Sequence, residues 1–180
     1  ITARARPFCS AASPKPVSAK HMRVLVLYAH PVPESFGAAI HETAIASLTA
    51  AGHEVDDCDL YAEGFDPVLS REERRGYHDT ASNTLPVAAY VERVKRAEAL
   101  VLCFPVWNFG YPAILKGFLD RVFLPGVSFK MVDGKAQPAL HNIRRLVAVT
   151  SYTYTNNCRY LGGYQRVDIP VVQDWLDTVL

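Results

Sequence analysis

Two stretches of this chain are apolar without interruption, VLVLYA at 24–29 and ALVLCF at 99–104. A strand with one wet face alternates apolar and polar residues, so an unbroken run predicts cover on both faces, as in a parallel sheet between helices. Parallel neighbours need long crossovers, and the intervening chain supplies them. Ser35 reads as the N-cap of a helix that carries Phe36, Ile40, Ala44 and Leu48 on one face and stops at Gly52. Residues 55–60 follow as a second strand, and 86–97 as a helix with Val87, Val91 and Val94 inward. Pro112 opens a helix through Phe123 with Ile114, Leu115, Phe118, Leu119 and Val122 as its buried stripe, and 146–150 is a fourth strand. The polar SREERRGYHD segment reads as a solvated, partly helical excursion, and 129–137 as a second excursion around an Asp133-Gly134 turn. Strands alternating with helices in this way predict an α/β fold, a doubly wound parallel sheet with right-handed crossovers. At 180 residues the chain suits a single domain, assigned to 22–180.

Charge and cysteine usage narrow the partners. With 19 Lys and Arg against 18 Asp and Glu, the formal charge is +1. That leaves neither a basic field for nucleic acid nor a strongly acidic docking surface, and small molecules are the expected partners. No apolar run approaches the roughly 18 residues of a membrane span. Cys9, Cys58, Cys103 and Cys158 have no CxxC spacing, and Cys103 sits in an apolar run, so buried thiols and a reducing, cytoplasmic compartment are expected. The histidines show no ligand spacing and no metal site is expected. Residues 1–21 carry Arg4, Arg6, Lys15 and Lys20 without an acid, and predict a disordered leader. Pro7, Pro14 and Pro16 break helical amphipathicity, which favours a tag or an upstream mis-start ending at Met22 over an organellar transit peptide.

Ligands of a doubly wound sheet bind beyond the carboxyl ends of the strands, where strand order reverses. The first such segment, HPVPESF, lacks both GxGxxG and GxxxxGK[ST]. It is a short loop into a helix N-terminus, where free N–H groups and the helix dipole favour an anion such as a phosphate. His30 and Ser35 are candidate donors there, unless Ser35 only caps the helix and His30 only fills the strand end. In the second segment, FPVWNFGYPAILKG, Trp107 and Phe109 offer flat apolar faces, and backbone N–H groups around Asn108 and Gly110 would bond the polar edge of a planar heteroaromatic ring. The competing use of both aromatics is core or dimer packing. A phosphate site and a ring platform at neighbouring strand ends describe a flavin nucleotide.

The segments LVLYAHPVPESF, DLYAEGFDPVLSREE, FPVWNFGYPAILKGFLDRVF, FK with a following DGK, and LVAVTSY occur in an order that resembles the flavodoxin-like NAD(P)H:quinone oxidoreductases, short bacterial members included. The resemblance covers about 22–152. It implies FAD or FMN bound at a homodimer interface, with NADH or NADPH as co-substrate. It also implies two-electron, ping-pong hydride transfer to quinones or related acceptors. By the same resemblance His30, Ser35, Phe36 and the adjoining Gly37 match the flavin-phosphate loop. Pro105, Val106, Trp107, Asn108 and Phe109 match the isoalloxazine loop, and Thr150 and Ser151 the third flavin-contacting strand end. Trp107 is the expected stacking face, with Tyr111 or Tyr152 as donor to the reduced acceptor's oxygen.

Departures from the pattern gather at the end of the chain. Tyr152 and Thr153 stand where the family usually has a glycine pair, Gly162 and Gly163 come too late to replace it, and no His follows His141. Residues 167–172 are a weak, proline-interrupted strand candidate, so an altered or truncated C-terminus is expected. The alternative function is a redox-sensing regulatory subunit without strong turnover. A serine hydrolase lacks its GxSxG here, and an electron-transfer flavodoxin its usual acidity. Arg71, Arg74 and Arg75 read as a solvated face, with an NADP 2′-phosphate contact left open.

Overall fold

The computed structural model describes residues 21–108 and 110–151; the expectations for 1–20, Phe109, Tyr152 and 167–172 lie outside them. The elements are β1 (Arg23–Tyr28), α1 (Phe36–Ala50), β2 (Glu54–Asp59), α2 (Arg71–Gly76), a 3₁₀ turn (Leu85–Val87) leading into α3 (Ala88–Arg96), β3 (Ala99–Pro105), α4 (Ala113–Val122), β4 (Phe129–Val132), β5 (Lys135–Pro138) and β6 (Arg145–Ser151). The main sheet runs β2-β1-β3-β6 with every pairing parallel. The interior strands β1 and β3 are the two unbroken apolar runs, and all seven residues of β3 are buried. Edge strand β2 tolerates the polar sequence EVDDCD because only its Cys58 is buried.

One core lies on each face of the sheet. On one side the 3₁₀ turn contributes Val87, α3 contributes Val91 and Val94, and α4 contributes Ile114, Leu115, Phe118, Leu119 and Val122, against Leu25, Leu27, Leu100 and Leu102. Both stripes are those that helical periodicity predicts. Burying such side chains is worth about 1.5–3 kcal/mol each. On the other side α1 packs on Val24, Val26, Tyr28, Val101 and Cys103.

Of the expected Phe36, Ile40, Ala44 and Leu48, Ile40 and Leu48 do pack on the sheet, but the most deeply buried positions of α1 are others. Its buried residues are Ala38 and His41, with Ile40, Ile45 and Leu48 beside them, whereas Phe36 is 74% exposed. Positions spaced by four drift about 40° around the helix at each step, and Phe36 sits in the first turn, next to the loop that follows β1. Amphipathic spacing therefore placed Phe36 wrongly. His41 is buried because its ring stacks on Tyr28, centroids 4.0 Å apart, and its Nε2 meets Asp57 Oδ1 at 2.8 Å.

The two excursions are structured. In α2 a capping box joins Ser70 and Glu73, and Glu73 also takes the guanidinium of Arg121 on α4 (Nη2 to Oε1, 2.6 Å). What reads in sequence as a solvated segment is thus pinned to the core on one side, while Arg71, Arg74 and Arg75 do face solvent. The β4–β5 hairpin turns at Asp133 (φ 51°) and Gly134 (φ 75°), the left-handed pair that a two-residue hairpin loop requires.

Gly117 marks the tightest approach in the fold. A Cβ on it would lie 2.3 Å from the Pro67 carbonyl oxygen and 2.5 Å from Pro67 Cα, so α4 and the 61–70 loop touch backbone to backbone. Gly117→Ala is expected to destabilise by about 1–3 kcal/mol through overpacking, despite alanine's better helix propensity. A thermal melt would read a drop of several degrees; an unchanged Tm would mean that the loop yields freely.

Candidate functional site at the ends of β1, β3 and β6

The chain leaves β1 toward β2 on one side and later returns to β3 on the other, so strand order reverses between β1 and β3. The crevice beyond their carboxyl ends is where this topology receives ligands. The loops after these two strands meet there, with the His30 and Trp107 ring centroids 5.8 Å apart at 59°. The Ala29 N–H to Cys103 carbonyl bond (3.0 Å) extends the pairing of β1 and β3 up to this point.

On the β1 side, Val32 donates its N–H to His30 Nδ1 (3.1 Å) and Ser35 donates to the Val32 carbonyl (3.2 Å), folding the loop back on itself. Ser35 caps α1, its Oγ accepting from Ala38 N (3.0 Å). The amides of Phe36 and Gly37 precede the first intrahelical bonds, the position at which a helix leaves N–H groups available to an anion. The first turn carries no acidic side chain to oppose one. At Gly37 a Cβ would come 3.3 Å from His30 Cδ2 and 3.5 Å from Ser35 Oγ; the residue that lets loop and helix close together is the one without a side chain.

On the β3 side, Pro105 and Val106 are buried and Trp107 is 39% exposed. Trp107 and Gly110 exchange backbone bonds, N–H to carbonyl at 3.2 and 3.0 Å, and Asn108 takes φ 48°, a left-handed conformation that asparagine tolerates. This closed turn narrows the expected donors. The Gly110 and Trp107 amides are engaged inside it, and the Val106 amide bonds the Ser151 carbonyl (3.0 Å). Among the described residues the Asn108 amide is the loop donor left over. Strand β6 arrives alongside, with Thr150 paired to Phe104 and Ser151 to Pro105.

Tyr111 stands differently from Trp107. Its ring packs on Phe104 at 5.2 Å, its hydroxyl has no partner among the described residues, and burial pushes its pKa up to about 12. It supports the loop from beneath. Cys58 and Cys103 are free and buried, and burial pushes their thiols up to about 12 and about 11, so neither is a nucleophile at neutral pH. No group of three or more His, Cys, Asp or Glu among the described residues is arranged to hold a metal. No helix there is long and apolar enough to cross a membrane. Sequence reasoning missed Tyr28 and the His41–Asp57 pair; a tyrosine ending an otherwise aliphatic strand was the signal for the first.

Among the described residues, a parallel sheet in the order β2-β1-β3-β6 with helices on both faces places the chain in the doubly wound α/β class, with its switch point between β1 and β3. The chain belongs to the flavodoxin-like family: residues 22–166 match the family model described as a flavodoxin-like fold. Among its relatives is NAD(P)H dehydrogenase [quinone] 1 of Cavia porcellus, 32% identical over 145 residues, covering 72% of this chain and 53% of that protein. An uncharacterized NAD(P)H oxidoreductase of Haemophilus influenzae is 35% identical, covering 67% of this chain and 60% of its own length. The solved NAD(P)H:quinone oxidoreductase of Methanothermobacter marburgensis superposes with a TM-score of 0.74 at 29% identity, over 89% of this chain and 80% of that one. The chain thus spans about half the length of the first curated relatives it matches.

Proposed function

We propose that this chain is the flavin-binding part of an enzyme that reduces quinones or related acceptors with NADH or NADPH, in ping-pong order. The observation that carries the reading is the meeting of the α1 N-terminus, whose first turn holds no acidic side chain, with an exposed tryptophan face across one switch-point crevice, through the His30–Trp107 contact. The names borne by the relatives point the same way.

The residues present fit FAD or FMN. Ser35, Phe36 and Gly37 would hold a phosphate with hydroxyl and amide donors, beside His30. Trp107 would flank the ring system, with Asn108 N–H at its polar edge, Pro105 and Val106 beneath and Thr150 and Ser151 on the third side. Bound flavin supplies the two-electron relay between nicotinamide and acceptor. The protein's share is to hold both partners in stacking register and to aim a fixed N–H donor where negative charge develops. Tyr111 enters this reading as a support of the loop, because its hydroxyl is shielded. Phe109 and Tyr152 keep the roles that the family pattern implies, as does assembly into a homodimer.

An anaerobic visible spectrum of the chain reconstituted with FAD, and separately with FMN, tests the proposal. Bound flavin should bleach on addition of NADH or NADPH and recover when a quinone is added. Flavin that binds but is not reduced would favour the regulatory-subunit alternative, and failure to bind either flavin would sink the reading.

A further inference from the structure

Tyr28 closes β1 with its side chain on the α1 face of the sheet. Its ring lies flat on the His41 imidazole, 2° from parallel, and His41 is held in turn by Asp57. The ring is therefore fixed, and only 4% of the residue is exposed. Its hydroxyl nevertheless has no hydrogen-bond partner among the described residues. The Ser35 hydroxyl lies within its influence, without the two forming a bond of normal geometry. A buried hydroxyl left unpaired is destabilising and calls for an explanation, and this one lies near Ser35, the N-cap of the 15-residue helix α1.

A serine hydroxyl has two lone pairs and one proton. One lone pair of Ser35 Oγ already accepts from Ala38 N. A bond from Tyr28 into the second would turn the Ser35 proton outward, toward the side on which the Phe36 and Gly37 amides are open. We propose that Tyr28 is a positioning residue for a phosphate-bearing ligand: its hydroxyl donates to Ser35 Oγ, which commits the Ser35 proton to a phosphate oxygen at the N-terminus of α1. The inference rests on the flavin-nucleotide reading above. Burial keeps the Tyr28 hydroxyl protonated by raising its pKa, and the charged groups acting on it, Asp59 and Glu42, reinforce this because both are acidic. Bonds of this kind are often long or misaligned in a free site and tighten when the ligand arrives.

Tyr28→Phe keeps the ring and its stacking on His41 and removes only the hydroxyl. Fluorescence titration with FMN, FAD and riboflavin, which has no phosphate, separates the possibilities. The variant is expected to bind the phosphate-bearing flavin about fivefold to tenfold more weakly, with riboflavin unchanged and a ligand-free Tm no lower than wild type. In a Ser35→Ala background the same change should have no further effect on FMN or FAD binding, since coupled residues are not additive. Unaltered FMN and FAD affinities in Tyr28→Phe would overturn the inference while leaving the flavin reading intact. An equal loss for all three flavins, or a lower ligand-free Tm, would overturn it by showing that the hydroxyl serves packing. A wild-type chain that binds neither FMN nor FAD would overturn the flavin reading and this inference together.

Discussion

Trp107→Ala is expected to lower kcat/KM for quinone reduction about tenfold to a hundredfold, with flavin still bound. Each factor of ten corresponds to about 1.4 kcal/mol of transition-state stabilisation. Loss of one aromatic stacking face together with its buried area is of that size. The rest of the loop should survive, because Trp107 is clamped to Gly110 through main-chain bonds that alanine retains, and Asn108 keeps its φ 48° turn. In the proposed reading the phosphate end of the ligand would be held separately, at Ser35 and the first turn of α1. Flavin absorbance should therefore persist while turnover falls, and Trp107→Phe should recover most of the rate. Steady-state kinetics with flavin occupancy measured on the same sample decides it: unchanged kinetics would assign Trp107 to packing alone.

Arg121→Ala is expected to be the most damaging single change to stability, at about 3–5 kcal/mol, a fall in Tm of roughly 10 °C. The Arg121 and Glu73 side chains are 10% and 15% exposed. The guanidinium bonds Glu73 Oε1 from Nε (3.0 Å) and from Nη2 (2.6 Å), bonds the Asp66 carbonyl from Nη1, and lies over the Phe65 ring. It joins α2, the 61–70 loop and α4 in one place, and its removal strands a carboxylate in a largely buried setting. Replacing both partners, Arg121→Met with Glu73→Leu, should recover much of the loss, since an apolar pair leaves no buried charge behind. The same pair makes stability acid-sensitive. Burial pushes the Glu73 carboxyl up, but bonds from Ser70 and the Arg121 guanidinium outweigh burial and hold it below the usual glutamate range. Its contribution is complete above the unfolded-chain value and is lost as pH falls through the lower folded one. Melts between pH 7 and pH 3 should show this acid limb in wild type and a shallower one in Glu73→Gln; parallel curves would remove Glu73 from the account.

Much of the fold was legible because apolar periodicity reports burial directly. The runs at 24–29 and 99–104 became the two interior strands, and Val87, Val91 and Val94, like the Ile114-to-Val122 stripe, became the core of one face. Strand boundaries moved by a residue or so, as at Arg23–Tyr28, because backbone pairing rather than side-chain type sets where a ladder ends. Phe36 failed the same test: its apolarity is real, yet it stands in the first turn of α1 with its side chain 74% exposed. Of the candidate site, the two loops and their neighbourhood were readable from strand-end position alone. Which amides are free was not, since that depends on the Trp107–Gly110 pairing and on the Ser151 carbonyl reaching Val106.

The sequence by itself determined the order of strands and helices, the two faces of the sheet and the segments that lie at its functional edge, because these follow from local periodicity and chain connectivity. Tertiary structure alone decided that Tyr28 lies flat on His41 with its hydroxyl near Ser35 and unpaired among the described residues, that Tyr111 is shielded while Trp107 is open, and that Glu73 and Arg121 bury their charges together. Each of these depends on residues distant in the chain, and the energy of a polar group is set by the partners that folding brings to it.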